Sequence, residues 1–237
     1  MTLQFDDATD PVDTTIIVEP LLKTAWKQTG LYRRFIPNNK GVGCWTVALA
    51  QILFYHGLHP FGQKKYTSSV ANISVNYDRE KVDLDQIAPL LTENTPEEQK
   101  IATARYLFYV GTVFEDKFNN STGVSGLRYE KRMEKHFPIR AVMHHYPKNT
   151  TLKKLESLVE ENLRSKSPVM LYAEGSGTGH ALVIDGLRIR KGKKEVHLNF
   201  GWQWEWDGWY ELFEPLNTPM VNLDDPIRMI MTIEPVK

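Results

Sequence analysis

Apolar residues fill nearly every position from Gly43 to Tyr55 (GCWTVALAQILFY), with Cys44, Thr46 and Gln51 as the main polar exceptions. A segment of that length, apolar on all sides, predicts a helix in the middle of the fold and not on its surface. It stops at His56-Gly57 with Pro60 beyond, and a histidine in the last turn complements the helix dipole. Asn94-Thr95-Pro96-Glu97-Glu98 supplies a hydroxyl cap, a proline at the first helical position and a glutamate three after the threonine, so a second helix should run to about Val110. Thr150 or Thr151 caps a further helix, in which Leu152, Leu155, Leu158, Val159 and Leu163 repeat at helical spacing with charges opposite. Another helix is expected over Leu127 to His136.

From Pro168 the texture changes. Short apolar runs separated by glycine (PVMLYAEG, HALVIDG, EVHLNFGW, GWYELFEP and IRMIMTIEP) are rich in β-branched and aromatic residues and predict antiparallel strands. The fold class is therefore α+β: a mainly helical lobe over 20–166, then an antiparallel β-sheet or barrel lobe over 167–237, with the seam near Ser165 to Ser167. Asp185-Gly186 reads as the turn entering a hairpin, and the basic run Arg188, Arg190, Lys191, Lys193 and Lys194 as its solvated tip.

Composition removes several function classes. The 237 residues are 41% hydrophobic and 24% charged, as in an ordinary packed protein. Twenty-nine basic residues balance 29 acidic ones, so no global field draws a nucleic acid or an anionic membrane surface. No run approaches the roughly 18 to 20 apolar residues of a membrane span. Met1 to Asp10 is acidic, unlike a signal peptide, so the chain is expected to be soluble, and either cytoplasmic or exported without one. A single cysteine excludes an internal disulfide and leaves its thiol to be explained by packing or by chemistry.

Cys44 lies in the first turn of the apolar helix, where unsatisfied NH groups and the positive helix end favour a thiolate. A lone buried cysteine is also simply a small hydrophobe, but Gly41 and Gly43 clear space beside this one for a backbone or ligand. His180 opens the strand HALVID just after Gly175-Ser176-Gly177-Thr178-Gly179, at a strand mouth where a general base is useful. That glycine run enters a strand and not a helix, so it makes no phosphate cradle. Asn199, on the next strand, is placed to accept a hydrogen bond from the imidazole and set its tautomer. Gln51 reads as a satisfied buried amide. His144 and His145 point apart in extended chain, so no metal site is expected. Trp202, Trp204, Trp206 and Trp209 follow, with the first three on one strand face; they wall either a substrate groove or the joint between lobes.

At this point GCWTVALAQILFYHGLHPFG, GSGTGHALVIDG and VHLNFGWQWEWDGWYEL together resemble the streptopain family of papain-like cysteine peptidases, with looser similarity over Ala102 to Phe137 and an overall span of about Trp26 to Glu214. The resemblance implies one catalytic unit over 1–237 that hydrolyses peptide bonds. Cys44 would attack the carbonyl, His180 would protonate the leaving amine and Asn199 would orient the ring. It implies a protein or peptide substrate with an apolar residue two positions before the scissile bond, and no cofactor or metal. The oxyanion would sit between the Cys44 NH and an amide from Asn38 or Gln28. Asn38 takes the position where the family has glutamine, one methylene shorter. Gly179, Phe200 and Trp202 are candidates for the substrate groove.

Phe200 replaces the tryptophan that the family stacks near its histidine, and Trp45 follows the cysteine where the family has a smaller residue. Only 43 residues precede Cys44, too few for the large prosegment of secreted members, which suggests either a mature fragment or a form without a zymogen stage. The same cysteine and histidine also suit a deamidase, transglutaminase or acyltransferase acting on a partner protein, and Phe200 with Asn38 suggests an inactive binding module as a third alternative.

Overall fold

The structure is a computed structural model that describes residues 13–60, 65–69, 72–116, 118, 129–175 and 177–236. In chain order it contains β1 (Thr14–Val18), α1 (Cys44–Tyr55), β2 (Lys65–Thr67), β3 (Ser74–Asn76), α2 (Glu97–Val113), α3 (Tyr129–His136), β4 (Ile139–His145), α4 (Leu152–Arg164), β5 (Val169–Gly175), β6 (Thr178–Arg190), β7 (Lys193–Asn199), β8 (Gly208–Glu211), β9 (Leu216–Asn217), β10 (Asn222–Leu223) and β11 (Asp225–Pro235). A seven-stranded antiparallel sheet runs β4-β11-β5-β6-β7-β8, with β1 added along β6. Two short hairpins, β2 with β3 and β9 with β10, stand apart from it.

The sheet is buried on both faces, and strand alternation sorts its side chains between two cores. Met170, Ala181, Val183, Met229, Met231 and Ile233 face the core that holds α1 and α2. Leu171, Ala173, Leu182, Ile184 and Ile230 face the core closed by α4 through Leu155, Val159 and Leu163. Double-sided burial is why β6 reads as a near-continuous apolar run. Each of the three α4 side chains, exposed by 1% or less, contributes about 1.5–3 kcal/mol by leaving water.

Several expectations change. The mainly helical lobe also gives a strand to the sheet, β4, which pairs with β11, and β1, which precedes that lobe, pairs with β6. Asp185-Gly186 is no turn; it sits inside β6 at a register shift, where the strand leaves β5 and takes β1 as its neighbour. The turn is Lys191-Gly192, both at positive φ. Asp185 is buried, accepting from the Leu22 N–H (3.0 Å) and lying 2.6 Å from His197 Nδ1. Arg188 is buried too, paired with Glu195 (2.6 Å) over the Trp209 ring. The Thr95 hydroxyl accepts from Thr92 N–H (2.9 Å) and leaves α2 without a side-chain cap, whereas Thr151 caps α4 through the Lys154 N–H. The predicted Leu127 start of α3 lies outside the described residues. Among the described residues no helix is long and apolar enough to cross a membrane.

Candidate active site

Cys44 is the first residue of α1, so its N–H has no acceptor within the helix. Gly43 before it has φ +92°, and a Cβ there would stand 2.5 Å from Asp116 Oδ2. The room cleared by this glycine is thus filled by a carboxylate. Asp116 also accepts from the Thr46 hydroxyl (2.6 Å) and the Phe118 N–H (2.8 Å), which ties the end of α2 to the start of α1. Burial raises the Asp116 pKa, and those two hydrogen bonds work against the rise.

Cys44 and His180 line one cavity of about 810 Å³, together with Gln28, Tyr172, Glu174 and Trp202. His180 is 3% exposed. Its Nε2 lies 2.8 Å from the Phe200 carbonyl oxygen. A carbonyl only accepts, so Nε2 carries the proton of the neutral ring, and Nδ1 is left with the lone pair. Burial pushes the imidazole down to about 4, partly opposed by the bond to Phe200.

The Asn199 amide does not make the contact expected of it. Its Oδ1 accepts from Gln51 Nε2 (3.0 Å) and from the Gly201 N–H (3.0 Å), while Nδ2 donates to the Thr24 carbonyl (3.0 Å). Gln51, a satisfied buried amide as read from the sequence, also accepts from the Thr24 hydroxyl (2.8 Å). The physical reason is register: Asn199 stands opposite Val183 and so shares the α1 face, and alternation sends the next residue, Phe200, to the other side. Asn199 still bears on His180 at one remove. The Gly201 N–H that it accepts belongs to the same peptide unit as the Phe200 carbonyl.

Asp207, missed in the sequence, and Trp202, read there only as a groove or lobe-joint wall, complete this support. Asp207 accepts from the Phe200 N–H (2.7 Å), and burial pushes its carboxyl up to about 7. Trp202 lies over His180 with ring centroids 4.3 Å apart, so the tryptophan cover thought lost at Phe200 comes from two residues further on. Phe200 itself is buried behind the imidazole, 1% exposed, and does not line the groove. Of the three groove candidates, Gly179 and Trp202 reach the cavity. At Gly179 a Cβ would meet the Tyr172 hydroxyl at 2.3 Å, so only glycine fits beside that ring.

The two amide candidates separate clearly. Gln28 lines the cavity with Cys44, and its backbone carbonyl accepts from the Val42 N–H (2.8 Å), two residues before the cysteine. Asn38 is exposed, at φ 56° in a short 3-10 turn, and lies away from the cavity. Trp45 is core, packed on Phe114, Tyr129 and Tyr172. Positive φ at Gln203, Trp204 and Trp206 breaks the strand expected there, so the tryptophans do not share one face.

A buried-helix cysteine and a strand histidine at one cavity, carried on an α+β scaffold with a large antiparallel sheet, define the papain-like class of fold. The peptidase C10 family model matches residues 26–210, and the chain belongs to that family. Streptopain of Streptococcus pyogenes serotype M28 (strain MGAS6180) is 26% identical over 190 residues, covering 75% of this chain and 47% of the relative. A second Streptococcus pyogenes streptopain is 25% identical over the same length. The chain spans about half the length of these curated relatives. Among solved structures, active wild-type interpain A, a cysteine protease of Prevotella intermedia, superposes with a TM-score of 0.75 at 22% identity, covering 91% of this chain and 93% of that one. A mutant prointerpain A fragment gives 0.73, covering 91% and 71%. These two likenesses establish the fold.

Proposed function

We propose that this chain is a cysteine peptidase that hydrolyses peptide bonds of protein or peptide substrates through a thioester acyl-enzyme. The observation that carries the reading is the shared cavity of Cys44 and His180, with the histidine tautomer set by the Phe200 carbonyl. Nδ1 accepts the thiol proton, and the thiolate at the positive end of α1 attacks the substrate carbonyl. A buried imidazole resists charge by itself, so the imidazolium forms only with the thiolate beside it, and the two ionise as a unit. The oxyanion is held by the Cys44 N–H and the Gln28 side-chain amide. His180 then protonates the leaving nitrogen, and water hydrolyses the thioester.

Family membership and the two amide donors support this reading over an inactive module. The test is mass spectrometry of a protein mixture incubated with the wild type and with Cys44→Ala. New peptide termini should form with the wild type, and their rate should fall by about 10⁶-fold in the variant. A gain of about one dalton without new termini, the signature of amide loss through the same thioester, would replace the peptidase by a deamidase.

A further inference from the structure

Beside the catalytic cavity lies a second one of about 570 Å³, which shares Gln28, Trp202 and Met220 with it and adds Lys27, Trp204 and Glu205. Its position relative to a substrate follows from the chemistry just proposed, on which this inference rests. The group that protonates the leaving nitrogen must stand on the leaving-group side of the sulfur. Trp202 covers His180 and also lines the second cavity, so that cavity continues the groove past the scissile bond on the same side.

The walls are built at a cost to the fold. Gln203, Trp204 and Trp206 have φ of 61°, 68° and 66°, a region that bulky L-residues seldom occupy. The segment is held there by a Lys27–Trp202 bridge and by hydrogen bonds from the Gln203 N–H to the Trp26 carbonyl and from the Asp207 N–H to the Trp204 carbonyl. What this strain achieves is exposure. Trp204 is 57% and Met220 58% exposed, two of six large hydrophobic side chains that the described residues leave in solvent, and both line this cavity. Apolar surface held in water gains free energy only when something apolar covers it. Lys27 and Glu205 have opposite signs and leave no net charge to select for.

We propose that this cavity binds the leaving-group side of the substrate, and that Trp204 and Met220 select a large apolar side chain within the first two residues after the scissile bond.

The test is a cleavage profile on a mixed peptide library, reading residue preferences on both sides of each new terminus by mass spectrometry. With the wild type, Leu, Ile, Met and Phe should be enriched about fivefold over Gly and Asp at the first two positions after the bond. Trp204→Gly, which suits the left-handed backbone and so spares the fold, should abolish that enrichment while the preferences before the bond persist. Met220→Ala should reduce the same enrichment and serves as an independent variant. A wild-type profile with no apolar preference after the bond, or one unchanged in both variants, overturns the pocket assignment and leaves the peptidase reading standing. Cleavage of no peptide by the wild type overturns the peptidase reading, and the pocket's occupant with it.

Discussion

His180 and Phe200 are joined through the ring Nε2 and a backbone carbonyl, 2.8 Å apart, at the place expected for the Asn199 amide. A backbone acceptor holds the tautomer as firmly as a side chain would, provided the peptide itself is held. Asn199 Oδ1 on the Gly201 N–H and Asp207 Oδ1 on the Phe200 N–H hold it from both sides. The orienting group is thus a braced peptide, with Asn199 as one of its braces.

Removing that brace should affect stability as well as rate. Asn199→Ala leaves Gln51, the Gly201 N–H and the Thr24 carbonyl short of a buried partner, and the unfolding free energy should drop by about 2–4 kcal/mol. Denaturant unfolding measures this, and kinetics on the folded variant should show kcat falling more than KM changes. A variant as stable as the wild type would overturn the bracing role of Asn199.

The two oxyanion candidates differ in the effect of their loss. Gln28→Ala should lower kcat by about 10²- to 10³-fold, the usual consequence of deleting one oxyanion donor. Asn38→Ala, at an exposed turn, should leave kcat within about twofold of the wild type. Steady-state kinetics on one peptide substrate compare them directly.

The buried titrating groups give opposite pH dependences. His180, lowered to about 4 from 6.5, contributes stability that is complete above pH 6.5 and is lost as pH falls toward 4. Asp207, raised from 3.8 to about 7, contributes stability that is complete below 3.8 and is lost as pH rises through 7. Between pH 4 and 6.5 the two trends oppose each other. Asp207→Asn should therefore unmask the histidine, and stability should fall by about 3 kcal/mol from pH 6.5 to 4, more steeply than in the wild type. Thermal unfolding across that range is the measurement.

Gly43→Ala should destabilise by about 3 kcal/mol or more, since it combines a strained φ with a clash against Asp116. Pairing it with Asp116→Ala should recover the clash but not the backbone strain. A double variant as unstable as the single one would place the whole cost in the backbone.

The legible parts of this protein were those encoded by local pattern. A run apolar on every side identified α1, and apolar runs bounded by glycine identified β5 to β8 and β11, because period and burial are written into consecutive residues. Helix position marked Cys44, and the glycine-rich entry to a strand marked His180. Two of the misreadings concern partners distant in sequence. Asp185-Gly186 carries turn chemistry, yet β1 arrives from 170 residues earlier to keep it within a strand. Gln28 has no local signal to set it above Asn38; only the bond from Val42 brings it to the cysteine.

By itself, the sequence determined the four helices and strands β5 to β8 and β11, that α1 is buried on all sides, and which thiol and imidazole are available for chemistry. Those follow from periodicity, capping and the rarity of a lone cysteine beside glycines. The tertiary structure alone decided what the imidazole bonds to, which of the two amide candidates shares the cavity of Cys44, and that Trp204 stands exposed on a strained turn. Hydrogen-bond partners and exposure depend on strand register and on contacts between residues far apart in the chain, and no local pattern of side chains specifies either.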